Sequence, residues 1–402
     1  MIFYNQRRNT WLAATAVAAV SLGVAACSST SSSTSSGTAS SPGTATSSAS
    51  ASSSSSGASS TSLTVKQIVL GATLKHSFQP DGKGAAKTER LSQPDDIVTL
   101  GGHLYIGFQN GVGSQGEVST SGNLDSTLLE ITPAGAVVKQ WDLTGKIDGM
   151  GADPATGQVI ATVNEDSKSS LYTVAARTIT HYAYTPSLPH LGGTDAVAVY
   201  NGKILISASA PGTSGKAPAS APAVYAVTLN AGAKTAAAAP FFADNAAATG
   251  VNAPKAGKKV TLALTDPDSN GVVPPSSPDF AGDFMLNSQG DEELIFSPAS
   301  GQSLQVLKLS GSVDDVAWAT SASGTLYTTD SGANTVDAIT GTFTPGTAYT
   351  AVTPCNANNA PTVCPATGFP DNSLGTINLK TGAIGKAAVT GPVAPKGLIF
   401  VP

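Results

Sequence analysis

The chain has 402 residues, with 21 Lys+Arg against 26 Asp+Glu and a formal charge of −5. This balance excludes the basic surface that a phosphate backbone requires, so no nucleic-acid partner is expected. Charged residues make up 12% of the chain, about half the usual share of roughly 25%, and 42 Gly with 25 Pro predict frequent turns.

Residues 1–27 read as an export signal. Arg7 and Arg8 form a positive n-region, and an apolar run follows from Trp11 to Ala26. The run falls short of the roughly 20 residues that span a bilayer. It ends in Val24-Ala25-Ala26-Cys27, which resembles the lipobox of bacterial lipoproteins. The resemblance implies lipidation at Cys27 and anchoring to the outer face of the cell membrane. An anchor with several acyl chains is enough for stable attachment. An ordinary signal peptide with a chance Cys is the alternative. The Arg pair leaves Sec and twin-arginine export open, although the residues after it fit the latter poorly.

Residues 28–62 are almost entirely Ser, Thr, Ala and Gly. Such a segment buries too little to offset its own conformational entropy, so a disordered linker is expected. It reads as a spacer between membrane and folded domain, and its composition permits O-glycosylation.

Residues 63–402 lack amphipathic helical periodicity. Short β-rich runs alternate with Gly, Asn, Asp and Pro. They recur loosely as strand, turn, strand, polar loop, strand, as in "VIATVNEDSKSSLYTVAA" and "FMLNSQGDEELIFSPASG". Each recurrence follows an apolar strand: "DDIVTL" at Asp95, "DGMGAD" at Asp148, "TDAVAVY" at Thr194, "VTLAL" at Val260 and "DDVAWAT" at Asp314. Four strands per unit is the pattern of a propeller blade. The unit "LYTTDSGANTVDAITG" resembles the NHL and YVTN-type propeller repeat. Together with "TDPDSNG", "SVDDVAWAT" and "PKGLIFVP", the region is similar to exported actinobacterial propeller-like proteins.

The expected fold is therefore all-β, a single β-propeller over 63–402. Six blades are expected, with seven as the alternative and a pair of β-sandwiches as the runner-up architecture. The C-terminal "KGLIFVP" reads as an inner strand and the N-terminal "TVKQIVLGATLKHSF" as outer strands, so that joining them closes the ring. "TAYTAVTP" and "LGTINLKTG" supply a sixth unit around Cys355 and Cys364, where an exported compartment permits a loop-closing disulfide.

Propeller topology puts the loop before each inner strand and the loop after the second strand on one face. The first class contributes Asp95, Asp96, Asp148, Asp195, Asp314 and Asp315. The second contributes Asn110, Asn164, Glu165, Asp166, Gln289, Asp291 and Asp330. Converging hard oxygens suit Ca²⁺, and the candidate ligands are Asp96, Asp148, Asn164, Asp195, Asp315 and Asp330. The same Asp residues also serve as turn caps. Lys258 and Lys259 precede the expected fourth inner strand and break the acidic pattern. "DPDSNG" offers Asp266, Asp268 and Asn270 in the first half of an EF-hand-type loop, but Ser277 stands at the twelfth position and no helices flank it. This loop is expected on the opposite face.

None of the four histidines has metal-ligand spacing, and His190 is the candidate for acid–base work. No Gly-x-Ser-x-Gly elbow or Walker loop is present. Two functions fit. One is a surface-anchored monomeric module binding an envelope protein, peptide or glycan. The other is a Ca²⁺-dependent lactonase or lyase at the channel mouth, using Asp96, Asp195, Asp315, Glu165 or His190, as a likeness to propeller lactonases implies. No cofactor other than Ca²⁺ is expected.

Overall fold

Two-residue turns set the local register. Gly101-Gly102 and Asn201-Gly202 both take positive φ at both positions, as a type I′ hairpin turn requires. They join strands whose facing residues are Leu100 with His103 and Tyr200 with Lys203. The flanking runs are rich in Val, Ile, Leu and Thr, which suit a pleated surface packed on both faces. The computed structural model describes residues 62–189, 192–209, 220–354, 371–391 and 393–402. Cys27, His190, Cys355 and Cys364 lie outside the described residues.

β1 (Leu63–Leu70) is followed by the hairpin β2 (Lys75–Phe78) and β3 (Lys87–Arg90). Four-stranded set one is β4 (Pro94–Leu100), β5 (His103–Phe108), β6 (Asp125–Ile131) and β7 (Val137–Thr144). Set two is β8 (Ile147–Asp153), β9 (Gln158–Val163), β10 (Ser170–Ala175) and β11 (Thr178–Thr185). Set three is β12 (Val197–Tyr200), β13 (Lys203–Ser207), β14 (Pro222–Asn230) and β15 (Thr235–Ala243). Its outer strand pairs in parallel with β11, joining sets two and three into one eight-stranded sheet.

A hairpin of β16 (Ala247–Gly250) and β17 (Lys259–Thr261) comes next. Set four is β18 (Pro267–Val272), β19 (Phe284–Ser288), β20 (Glu293–Ser297) and β21 (Leu304–Lys308). The expected fourth inner strand at Val260 is thus corrected. Lys259 and Val260 lie in β17, on the outer side of the set, and "PDSNGV" is the innermost strand.

Sets five and six interleave. β22 (Val313–Trp318) is followed by β23 (Thr325–Asp330) and β24 (Thr335–Thr340), which belong to another sheet. The chain returns to β22 with β25 (Ala348–Val352), β26 (Leu374–Ile377) and β27 (Ile384–Lys386). It ends with β28 (Val389–Thr390) and β29 (Leu398–Val401). Set six therefore reads β29, β23, β24, β1, with β28 added beside β1. The reading that joined "DDVAWAT" to "LYTTDSGANTVDAITG" in one unit is corrected. The hairpin β23–β24 has two edges, and the two ends of the domain pair with them. The segment "KHSF" forms the β2–β3 hairpin instead of an outer strand. This hairpin is held by His76, buried between Glu89 and Asp142 at 3.1 Å each.

The first strands of the six sets lie against one another in turn, β4, β8, β12, β18, β22, β29 and back to β4. This closed ring of meanders is a β-propeller, and closure removes free inner edges. Apolar clusters fill the spaces between neighbouring sets. One joins Val273 and Met285 of the set-four region to Val316 and Trp318 of set five, so Trp318 packs against the neighbouring set.

Neighbouring inner strands approach closely only where a side chain is missing. A methyl group on Gly149 would lie 2.2 Å from the Asp195 carbonyl oxygen, whereas one on Gly271 would meet nothing within 4 Å. Gly149→Ala is expected to destabilise the protein by about 1–3 kcal/mol in urea unfolding. Gly271→Ala in the same assay should stay within about 0.5 kcal/mol of the parent.

Candidate functional site

One local device repeats around the ring. Pairing skips two residues in four inner strands: between Pro94 and Ile97, Ile147 and Met150, Pro267 and Asn270, and Val313 and Val316. Such a bulge re-aims a side chain and ends pairing locally. The first skipped residues are Asp95, Asp148, Asp268 and Asp314. Asp195 and Lys396 stand at the corresponding places before β12 and β29. Five Asp and one Lys thus occupy like positions, and all six line one central cavity of about 660 Å³.

The next position is structural in most sets. Asp96 accepts from the backbone N–H of Ile97 and of Met150 in set two. Asp315 accepts from Val316 at 2.7 Å and from Leu398 in set six at 2.7 Å. Each carboxylate therefore staples its own bulge to the next inner strand. Gly149 and Gly397 achieve the same approach by lacking a side chain.

The wall of the cavity carries nine carboxylates against two lysines, Lys146 and Lys396. Lys396 Nζ lies 2.9 Å from Asp314 and 3.9 Å from Asp95. Lys146 lies 3.3 Å from Asp148 and donates to Glu165. Gln109 Nε2 donates to Asp95 at 2.6 Å and Asp148 at 3.1 Å, and Gln289 donates to Asp314 at 2.7 Å. Asp195, Asp266 and Asp268 have neither a lysine within 4.0 Å nor a side-chain hydrogen bond among the described residues.

Burial dominates the electrostatics. Desolvation, reinforced by neighbouring carboxylates, lifts Asp96, Asp148, Asp195 and Asp268 well above the ordinary range. It raises Asp266 to about 6 and Asp315 to about 7, the latter against the pull of its two backbone bonds. Glu165 is held low against its burial by its bonds to Asp148 and Lys146. Both lysines are held protonated by the carboxylates around them. An uncompensated set of this kind favours either protons or an added cation.

Ligand atoms of Asp148, Glu165 and Asp195 lie within 4.8 Å of one another. The Asp148 side chain is only 7% exposed, and its Oδ2 has no hydrogen-bond partner. Three further buried polar atoms without partners lie on residues of the same wall: Ser269 Oγ, Asn270 Oδ1 and Trp318 Nε1. The carboxylate oxygens suit a hard divalent cation such as Ca²⁺.

The remaining sequence candidates separate from this cavity. Asn164 accepts from Lys146 N at 3.0 Å and shapes a turn with positive φ. Asp330 caps the backbone N–H of Ala333 at 2.8 Å and Ala394 at 2.9 Å. Asp291 caps Thr265, and Asn110 ties Ser92 to Thr127. Asp166 pairs with Ser114. Asn164 and Asp330 thus act as turn caps in this structure, their oxygens accepting from backbone donors outside the cavity wall. Asp96 and Asp315 line the cavity, but their oxygens face backbone N–H groups.

The EF-hand-type reading of Asp266, Asp268 and Asn270 is also corrected. Asp268 and Asn270 lie on a bulged strand, and all three line the central cavity instead of an opposite-face loop. Lys146, Lys396 and Gln109 carry no motif of their own. The signal for Lys396 is register: "PKGL" aligns with "PDDI", "IDGM", "TDAV", "PDSN" and "VDDV".

No family model and no curated protein matches the chain. Among solved structures, it is similar to a protein of unknown function from Bacteroides caccae, at 10% identity and TM-score 0.44, over 85% of this chain and 98% of that one. A protein of unknown function from Bacteroides thetaiotaomicron matches at 10% identity and TM-score 0.39, over 79% of this chain and 62% of that one. Virginiamycin B lyase from Staphylococcus aureus matches at 10% identity and TM-score 0.34, over 69% and 80%.

Raised carboxyl pKa values make stability depend on pH. The folded state holds protons more tightly than the unfolded one. Stability from these groups is therefore present below the unfolded value near 3.8 and is lost as pH rises through about 6 for Asp266 and about 7 for Asp315. Without divalent cations, urea unfolding should show stability falling from pH 4 toward pH 8. Asp266→Asn should flatten the part of the curve near pH 6. A stability that climbs across this range would contradict the assignment.

Proposed function

We propose that the protein is an exported, lipid-anchored propeller lipoprotein that acts as a monomeric binding module at the cell surface, with a cation site in its central cavity. The six strand sets are its six blades, and Ca²⁺ is the ion whose chemistry fits. One observation carries the reading: Asp148, Glu165 and Asp195 converge with an unpartnered buried Asp148 oxygen in a wall of nine carboxylates. The lipobox-like Cys27 and the Ser/Thr-rich spacer support display on the outer face of the membrane, with the open mouth available to an envelope protein, peptide or glycan.

A second reading, a Ca²⁺-dependent lactonase or lyase, is favoured by Asp266. Its value of about 6 suits proton transfer near neutrality. The ion would polarise a carbonyl, and a raised carboxyl would hold the proton to be transferred.

A ligand that binds only the native state stabilises it by mass action, by about 2.7 kcal/mol at a hundred times Kd, and so raises the thermal midpoint. Adding Ca²⁺ after EDTA treatment should raise the midpoint of the full chain. Glu165→Gln and Asp195→Asn should abolish the rise. Asp330→Asn should destabilise the cation-free protein by roughly 1 kcal/mol through its lost cap, lowering the starting midpoint, and leave the Ca²⁺ response intact. No shift with Ca²⁺ in the parent protein would overturn the cation site.

A further inference from the structure

The central cavity changes character along its depth. Successive residues of a strand advance about 3.3 Å, and the six inner strands line one channel. Three residues beyond the ring of five Asp and one Lys, the wall reads Val98, Gly151, Ala198, Gly271, Ala317 and Ile399. No charge or side-chain hydrogen-bonding group remains at that level. At the far end Val272 is 41% exposed. The mouth is acidic and the channel below it is mostly apolar, with Thr99, Trp318 and Thr320 as its polar side chains.

We infer that the cavity binds an amphiphilic aliphatic amine, with its ammonium at the acidic mouth and its hydrocarbon part along the apolar channel. The inference rests on the cation-site reading and narrows its ligand. A bare ion at Asp148, Glu165 and Asp195 leaves the rest of a cavity of about 660 Å³ unused, a volume in the range of organic-ligand pockets. It also leaves Asp266 and Asp268 without a lysine within 4.0 Å, because Lys396 pairs with Asp314 and Asp95 and Lys146 with Asp148 and Glu165. Ser269, beside Asp268, is 8% exposed, and its Oγ has no partner. Asn270 Oδ1 likewise lacks a donor. Carboxylates with spare acceptor capacity match the N–H donors of an ammonium group. The largely apolar wall at the level of Val98, Ala198, Ala317 and Ile399 accepts methylenes.

The test is calorimetric titration of the full chain with butylamine, hexylamine and octylamine. Hexanol, hexanoate and spermidine serve as comparators. Binding should saturate at one site and tighten about fourfold per methylene, with hexanol and hexanoate silent. Asp268→Asn should weaken hexylamine by about tenfold or more, and Ser269→Ala should weaken it less. Both variants should keep a cooperative thermal unfolding transition, which reports that they fold. Failure of hexylamine to bind, affinity independent of chain length, or equal binding of hexanol would overturn the inference. A Ca²⁺ response without amine binding overturns the amine assignment alone, whereas loss of both also removes the cation site.

Discussion

Closing six strand sets into a ring forces one residue from each into the same small volume. Here those residues are five aspartates and a lysine. Carboxylates at close quarters and low exposure repel one another and resist ionisation. The surrounding architecture holds this arrangement in place. Asp96 and Asp315 spend their oxygens on backbone N–H groups of the following set. Gln109 donates to both Asp95 and Asp148, and Gln289 donates to Asp314 and Thr353. Glycines remove side chains where inner strands nearly touch. The rigid frame is what keeps the repulsion from being relaxed by movement, so relief must come from protons or from a cation.

The seam of the ring is where its charge changes sign. Set six takes its innermost strand from the C-terminal end and its outer strand from β1, with β23 and β24 between them. The C-terminal strand brings Lys396 to the place that Asp holds in the other sets, between Asp95 and Asp314 of the adjoining sets. The same segment is tied down by Gly397 N donating to Thr329 Oγ1 and by Leu398 N donating to Asp315. Closure and charge neutralisation on that side are one feature. On the opposite side, around Asp195, Asp266 and Asp268, no lysine performs this service. Ligand binding is accordingly assigned to that side.

Much of the fold was legible because propeller strands are short, apolar and bounded by turn residues. That the two ends of the domain join to close the ring followed from strands that lacked partners, but their pairing with "LYTTDSGANTVDAITG" did not. The interleaving of sets five and six was not legible, since adjacency in sequence gave no hint that β22 pairs with β25 across an intervening hairpin. In set four, "VTLAL" is the more apolar segment, yet "PDSNGV" is the inner strand because its neighbours offer cavity and bulge geometry instead of a deep core. That error moved Asp266 and Asp268 to the wrong face. For the site, Asp was readable by its recurrence, but caps and cavity carboxylates share one residue type. Only side-chain direction separates Asp330 and Asn164 from Asp148 and Asp195.

The central claim is that a cation resides among Asp148, Glu165 and Asp195. Long-wavelength diffraction from crystals grown with Ca²⁺ tests it most directly. The account predicts an anomalous peak within coordination distance of Asp148, Glu165 and Asp195. An empty cavity at saturating Ca²⁺, or a peak only at the capping residues Asp291 or Asp330, would contradict it.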